Sequence, residues 1–96
     1  MNITESPKFA ALCQAYLISV QQELNDLRPC LDRIDFTIIL QFAHKTKGTS
    51  GTYQLTGISE KAAQLQESAE AEDRDKLMKT YNELDELVSE RLHAAL

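Results

Sequence analysis

Three residues near the middle of the chain, His44, Lys47 and Gly48, have types and a spacing that could carry chemistry. In a helix they lie one turn apart on a single face. Neutral imidazole is a nucleophile at physiological pH. The Lys47 ammonium would attract and neutralise a phosphoryl group, and Gly48 would let the backbone of another protein approach the imidazole closely. The spacing therefore predicts an exposed nucleophile with a cation beside it.

The same three residues also have an interpretation without chemistry. A lone histidine in a helix is most often a half-exposed polar side chain. Lys47 followed by Gly48 can also end a helix, because lysine complements the negative end of the helix dipole and glycine adopts the left-handed conformation. Spacing alone leaves both interpretations open.

Other catalytic motifs are missing from the sequence. Di-iron sites in helix bundles need paired Glu-x-x-His motifs, whereas only Glu90 stands three residues before a histidine, His93. His93 is expected to be a surface residue whose charge suits the last turn of a helix. No glycine-rich phosphate-binding loop of Walker type is present. We therefore expect neither a metal site, nor an ATP site, nor a cofactor bound by this chain.

The composition excludes further classes of protein. Fifteen acidic against ten basic residues give a formal charge of −5, which argues against a nucleic-acid-binding protein. No apolar run approaches the roughly 18 residues of a membrane span. Cys13 and Cys30 are too few for a disulfide framework; as buried thiols they favour a reducing cytoplasm. Ninety-six residues make one domain, and the initial Met with short tails favours a free-standing protein.

The chain has only three glycines and two prolines, which favours long helices over a turn-rich β fold. After a short tail at residues 1–5, Ser6 is the N-cap and Pro7 the first residue of a helix that ends near Arg28-Pro29. Its apolar stripe consists of Phe9, Leu12, Cys13, Tyr16, Leu17, Val20, Leu24 and Leu27. A short connection then covers the end of the core with Cys30, Leu31 and Ile34.

Asp35 is the candidate N-cap of the second helix, which carries His44. The inward stripe of this helix is Phe36, Ile39, Leu40 and Ala43, with Ile38 and Phe42 on a flanking row. A break between Gly48 and Gly57 separates it from a third helix, for which Thr56 or Ser59 is the candidate N-cap. The third helix places Ile58, Ala62, Leu65 and Ala69 inward.

The polar run from Glu70 to Asp75 suits a turn, and the last helix is expected to begin near Asp73. Its inward residues are Leu77, Tyr81, Leu84, Val88 and Leu92. Four amphipathic segments of roughly 15 to 22 residues are each about 22–33 Å long. Matched lengths and short connections favour an all-α, antiparallel up-down-up-down four-helix bundle. A helical repeat array is disfavoured, because no fixed period is visible.

The residues around His44 resemble the histidine-containing phosphotransfer (HPt) domains of bacterial multistep phosphorelays. The signature of that family is Ala-His-x-x-Lys-Gly followed by two small residues, and residues 43–50 match it. Asp35 and Phe36 stand where the family has an Asp and a bulky aromatic residue. Gln66 falls at a position usually held by Glu or Gln. The resemblance extends over about residues 9–92.

The resemblance implies a role for each matching residue. His44 would accept a phosphoryl group at Nε2, and Lys47 would stabilise that group. Gln66 would hydrogen-bond the other ring nitrogen and fix the tautomer. The surface open to a docking receiver domain would comprise Gly48, Gln41 and Lys45.

The implied function is that of a phosphorelay carrier. A phosphoryl group would pass from an aspartyl phosphate on the receiver domain of a hybrid sensor kinase to His44, and then to the receiver of a response regulator. Mg²⁺ would belong to the receiver, and the chain itself would be a monomer without kinase activity. The alternatives are a non-catalytic helical-bundle interaction or adaptor module and, less favoured, a metal-dependent bundle enzyme.

Two positions depart from the family pattern, and both favour the adaptor alternative. Gln54, ten residues after His44, stands where the family commonly has glycine. Gly51 or Gly57 is therefore expected to serve the turn between the second and third helices. Thr46 replaces the usual Leu, Phe or Ile, which makes the packing beneath the site less apolar.

Overall fold

A computed structural model describes residues 6–33 and 35–94, and within these ranges the chain is all-α, with no strand. The α-helices are α1 (Pro7–Leu27), α2 (Phe36–Thr52), α3 (Thr56–Glu70) and α4 (Arg74–Ala94), and a short 3₁₀ helix at Arg28–Arg33 follows α1. The tail at residues 1–5 and the core residue expected at Ile34 lie outside the described residues. The all-helical prediction is therefore confirmed.

The N-caps predicted for α1 and α2 are confirmed, and α4 also begins with a side-chain cap. Ser6 Oγ accepts from the Phe9 amide at 3.0 Å, and the Asp35 carboxylate accepts from the first amides of α2. At the start of α4, Asp73 accepts from the Lys76 amide at 3.1 Å. Each side chain satisfies a backbone donor that has no partner within its helix.

The start of α3 differs from the prediction that Thr56 or Ser59 caps it. Leu55 occupies the N-cap position, and its side chain forms no cap hydrogen bond. Thr56 is already the first helical residue. The Ser59 hydroxyl points away from its own helix and donates to the Lys47 carbonyl at 2.9 Å. A buried leucine therefore occupies the N-cap position of α3 instead of a polar residue, and burial of its apolar side chain favours this arrangement.

The turn between α2 and α3 depends on Gln54, which has a φ of 60°. The Leu55 amide donates to the Ser50 carbonyl at 2.8 Å, and the Gln54 amide donates to Gly51 at 3.0 Å, as in a Schellman motif. No glycine of the chain has a positive φ. The expectation that Gly51 or Gly57 would replace the missing glycine at position 54 is wrong, because Gln54 itself takes the left-handed conformation.

The core draws on all four helices and on two of the three connections. Its buried apolar residues are Leu17, Val20, Leu24, Leu31, Ile39, Phe42, Ala43, Leu55, Ile58, Ala62, Leu65, Ala69, Leu77, Tyr81, Leu84 and Val88. Phe42, expected on a flanking row, is only 4% exposed, whereas Leu12 of the α1 stripe is 49% exposed. Cys13 and Cys30 are half-buried rather than buried.

The contacts between helices show which helices are neighbours in the bundle. α2 packs against α3, α3 against α4, and α1 against α4, in a molecule measuring 45 × 20 × 16 Å. α1 also reaches α2 through the Tyr16 hydroxyl, which lies 2.6 Å from the Thr49 hydroxyl. Among the described residues, no helix is long and apolar enough to cross a membrane.

Candidate functional site

His44 lies in the middle of α2 with its side chain exposed. The buried face of this helix carries Ile39, Phe42, Ala43, Thr46 and Ser50. Because His44 follows the fully buried Ala43 by one residue, the helical turn of about 100° carries its side chain away from the core. The core-facing residues of α2 therefore determine where the imidazole lies.

Lys47 and Gly48 are exposed on the same side of α2 as His44. α2 continues four residues beyond Gly48, to Thr52, so the interpretation of Lys47 and Gly48 as a helix end is wrong. Within the described chain Lys47 takes part in none of the ion pairs. The Lys47 ammonium is thus available to a group bound beside His44.

No internal contact explains the glycine at position 48. A Cβ built there would meet no atom within 4 Å outside its own helix turn. Glycine inside a helix costs about 1 kcal/mol relative to alanine. The cost is therefore not offset by packing within this chain.

Lys45, the residue after His44, is held by α1. Its Nζ lies 2.6 Å from Glu23 Oε2, and both side chains are partly exposed. The ion pair connects α1 and α2 at the edge of the face that carries His44. Gln41, one turn before His44, is exposed. Gln41 and Lys45 therefore both lie exposed within one turn of His44 on α2.

Gln66 lies on α3, and the structure does not join it to His44 by a hydrogen bond. Its Nε2 donates to Glu70 Oε1 at 3.0 Å. Its Oε1 is buried and has no hydrogen-bond partner among the described residues. A buried acceptor without a donor carries a desolvation cost. Gln66 therefore has an acceptor free for a further N–H group.

Beneath His44 the helix carries a polar side chain inside the core. Thr46 is 1% exposed, and its hydroxyl finds no partner in the described part of the chain. Its carbonyl is well satisfied, because it accepts from the Ser50 hydroxyl and, at 3.4 Å, from Tyr16. Burial raises the pKa of Tyr16 above its usual value of 10.0. The Thr46 hydroxyl is thus a buried polar group beneath His44 whose hydrogen-bonding capacity is not satisfied by the described residues.

Ser59 makes a contact near Lys47 that the sequence did not predict. The Ser59 hydroxyl binds the carbonyl of Lys47 and so joins α3 to the turn of α2 that carries the lysine. A Cβ at Gly51 would lie 3.7 Å from Ser59 Oγ, an ordinary van der Waals contact. The signal in the sequence for this contact between α2 and α3 is limited to a serine in the first turn of α3.

A metal centre finds no support in residues 6–33 and 35–94, where no group of three or more His, Cys, Asp and Glu side chains could hold an ion. His93, the partner of Glu90 in the single Glu-x-x-His motif, instead places Nδ1 2.7 Å from the Ser89 carbonyl. This bond lies within one turn of α4 and is exposed. His93 is a surface residue, as the sequence predicts.

Comparison with protein families gives a match over most of the chain. The family model for the Hpt domain matches residues 11–94, a stretch that includes most of α1, all of α2, α3 and α4, and His44. No curated protein and no solved structure gives a match. Hpt domains act in two-component phosphorelays, where they interact with receiver domains. The chain belongs to the Hpt domain family.

Proposed function

We propose that this chain is a phosphorelay intermediate that carries a phosphoryl group on His44. The observation that supports this most directly is the common exposed face of His44, Lys47 and Gly48 on α2, in a member of the Hpt family. The donor is an aspartyl phosphate on the receiver domain of a hybrid sensor kinase, and the acceptor is an aspartate of a response regulator. The chain acts as a carrier in the cytoplasm and has no ATP site of its own.

The transfer is a single in-line displacement. The lone pair of His44 Nε2 attacks phosphorus, a P–N bond forms, and the P–O bond to the aspartate breaks with its electron pair leaving on the carboxylate. Nδ1 keeps its proton, so no other proton has to move. The reverse displacement places the group on the second aspartate. Catalysis then requires positioning and charge neutralisation, which the Lys47 ammonium supplies from this side.

Gln66 is the proposed positioning residue for the imidazole. Its buried Oε1 lacks a donor among the described residues, and the Nδ1–H group of His44 would satisfy it. A proton held at Nδ1 leaves the lone pair on Nε2, which is the nucleophilic tautomer. The orphaned acceptor supports this role more strongly than sequence position alone.

Gly48, Gln41 and Lys45 belong to the proposed docking surface. A Cβ at position 48 would meet no atom within 4 Å outside its own helix turn, so we attribute the glycine to the close approach of a partner. A receiver backbone that approaches here brings its phosphoaspartate close to His44. Mg²⁺ and the acidic residues that bind it belong to the receiver, and this chain contributes no cofactor.

We infer that the helices run up-down-up-down in an antiparallel bundle and that the chain is a monomer. The contacts between α1 and α2 support the antiparallel direction. Tyr16 meets Thr49, whereas Glu23, later in α1, meets Lys45, earlier in α2. Residue numbers that rise along one helix as they fall along its neighbour are those of an antiparallel pair.

The test uses phosphorylated receiver domains and the two histidines of the chain. A panel of ³²P-labelled receivers is incubated with the wild-type chain, His44→Gln and His93→Gln, and the label is tested for acid lability and base stability. We expect label on the wild type and on His93→Gln, and none on His44→Gln, with unchanged helical circular dichroism. Label that persists on His44→Gln would contradict the proposal. Receiver binding with no label on the wild type would favour the adaptor alternative.

A further inference from the structure

A groove with a volume of about 400 Å³ lies between α1 and α2, directly beside the proposed phosphorylation site. Two of its lining residues lie close to His44 in sequence. Gln41 is one helix turn before it and Lys45 immediately follows it. The groove is therefore continuous with the surface on which a receiver domain would dock. Its opposite wall comes from the last turns of α1.

The floor of the groove is apolar and partly exposed. Leu27 of α1 and Phe42 of α2 line it, and both pack in or against the core. Ile38 stands at its edge with 39% of its surface exposed, one of three large hydrophobic residues so exposed among the described residues. An aliphatic side chain from a partner would remove Ile38 from water, and burial of that apolar surface favours binding.

The rim of the groove carries excess negative charge. Two carboxylates, Glu23 and Asp26, face one ammonium, that of Lys45. Lys45 is paired with Glu23 at 2.6 Å, whereas Asp26 is exposed and takes part in no ion pair within the described ranges. Asp26 therefore leaves a negative charge beside the apolar floor that a basic group of a partner would neutralise.

We propose that this groove is a specificity site for the receiver domain. It selects a receiver whose docking surface carries an aliphatic side chain with a lysine or arginine beside it. The aliphatic side chain covers Ile38 and the half-buried Leu27, and the basic group pairs with Asp26. A receiver with an acidic residue at that position is repelled. The inference rests on the proposed function and specifies which receivers that function uses.

The test compares two groove variants with two matched controls. Asp26→Lys reverses the rim charge and Ile38→Ala removes the exposed apolar contact. Glu86→Lys makes the same charge change on an exposed residue of α4, and Ile18→Ala truncates another exposed isoleucine, on α1. The probe is the phosphorylated receiver that labels the wild-type chain fastest in the panel described above. Thermal unfolding verifies that each variant is folded.

We expect kcat/KM for transfer to fall about tenfold in Asp26→Lys and about fivefold in Ile38→Ala, with the controls within about twofold of the wild type. Added salt should slow transfer to the wild-type chain more than transfer to Asp26→Lys. The variant lacks the Asp26 carboxylate that attracts the basic group of the receiver, so salt has no such attraction to screen. Equal kcat/KM in both groove variants and the wild type would overturn the inference.

Two further measurements separate this inference from the proposed function. Phosphoramidate, a small phosphoryl donor, labels a reactive histidine without a docked protein. No label on the wild type from either donor contradicts the proposed function itself. Label on the wild type, with receiver kinetics unchanged in the groove variants, overturns the specificity site alone. Light scattering that shows the groove variants changing self-association, with transfer intact, assigns the groove to a second copy of the chain and also overturns the inference.

Discussion

The Tyr81 hydroxyl donates a hydrogen bond to the Leu24 carbonyl and so ties the middle of α4 to the end of α1. Arg28, just past the end of α1, lies over the Tyr81 ring with 5.3 Å from Cζ to the ring centroid. The same guanidinium pairs with Asp85 at 2.6 Å. Burial raises the pKa of Tyr81 to about 12, although the Arg28 charge acts in the opposite direction. The contact thus depends on a neutral phenol.

This contact predicts a loss of stability at alkaline pH. The unfolded chain ionises Tyr81 near pH 10.0, whereas the folded chain keeps it neutral until about pH 12. The contribution is therefore fully present below pH 10 and falls by about 1.4 kcal/mol per pH unit between 10 and 12. Tyr81→Phe removes this dependence and, at pH 8, costs about 1 kcal/mol for the lost hydrogen bond.

Urea unfolding of the wild type and Tyr81→Phe at pH 8 and pH 11 measures the effect. The difference in unfolding free energy between the two proteins should shrink or change sign at pH 11. Tyr53→Phe is the control for other alkaline effects, since this tyrosine is only half-buried. An unchanged difference at both pH values would refute the assignment.

Replacing Gln54 by glycine should stabilise the protein. Gln54 has a φ of 60°, a conformation that costs a residue with a Cβ about 1–2 kcal/mol. Glycine removes that cost but loses more chain entropy on folding, so we expect a net gain of about 0.5–1 kcal/mol. Gln54→Ala keeps the Cβ and should change the unfolding free energy by less than about 0.5 kcal/mol. Equal stabilities of the glycine and alanine variants would show that the turn is unstrained.

Thr46→Val should also stabilise the bundle. The Thr46 hydroxyl is buried and has no partner in the described chain, so a methyl group of similar size removes a desolvation cost of about 1 kcal/mol. Ser50→Ala is the opposite case, because the Ser50 hydroxyl donates to the Thr46 carbonyl. That substitution should destabilise by about 0.5–1 kcal/mol. Chemical unfolding at pH 7 gives both signs, and a destabilised Thr46→Val would indicate that the hydroxyl has a partner such as bound water.

Gly48 is the position where stability and function should diverge. Gly48→Ala replaces a helical glycine where a Cβ meets nothing, and should stabilise the fold by about 1 kcal/mol. Gly48→Glu should keep the fold but lower kcat/KM for transfer from a phosphorylated receiver by about tenfold or more, because its side chain occupies the path of the partner. Thermal unfolding and labelling rates measure the two effects. Unchanged transfer in Gly48→Glu would count against close approach at this position.

Local rules predicted those parts of the fold that local contacts determine. Ser6 and Asp35 cap their helices as predicted, because an N-cap needs only a side-chain acceptor two or three residues before free amides. The spacing of the apolar residues predicted which face of each helix is buried, because that spacing also depends on local helix geometry. Leu12 is exposed because the neighbouring helices cover only part of the apolar stripe of α1.

The sequence could not predict features that depend on contacts between helices. Gln54 takes a left-handed conformation that turn rules assign to glycine. This conformation accompanies the burial of the next residue, Leu55, in the core. Ser59 has the residue type of a cap, but its hydroxyl donates to a carbonyl of α2 instead. The common exposed face of His44, Lys47 and Gly48 was predictable because one helix turn orients all three residues. The buried, unpartnered Oε1 of Gln66 was not predictable, since its burial depends on how α3 packs against the other helices.

Gln66 provides the sharpest test of how the site holds its imidazole. Gln66→Met removes the orphaned acceptor at nearly constant size, whereas Gln66→Glu keeps an oxygen acceptor. We expect the methionine variant to lose the preference for the Nδ1–H tautomer of His44, seen as altered ¹⁵N shifts of the ring, and to transfer phosphate about tenfold more slowly. The glutamate variant should retain both properties. Gln64→Met, an exposed position on the same helix, is the control and should match the wild type. A methionine variant with the wild-type tautomer and rate would show that Gln66 does not position His44.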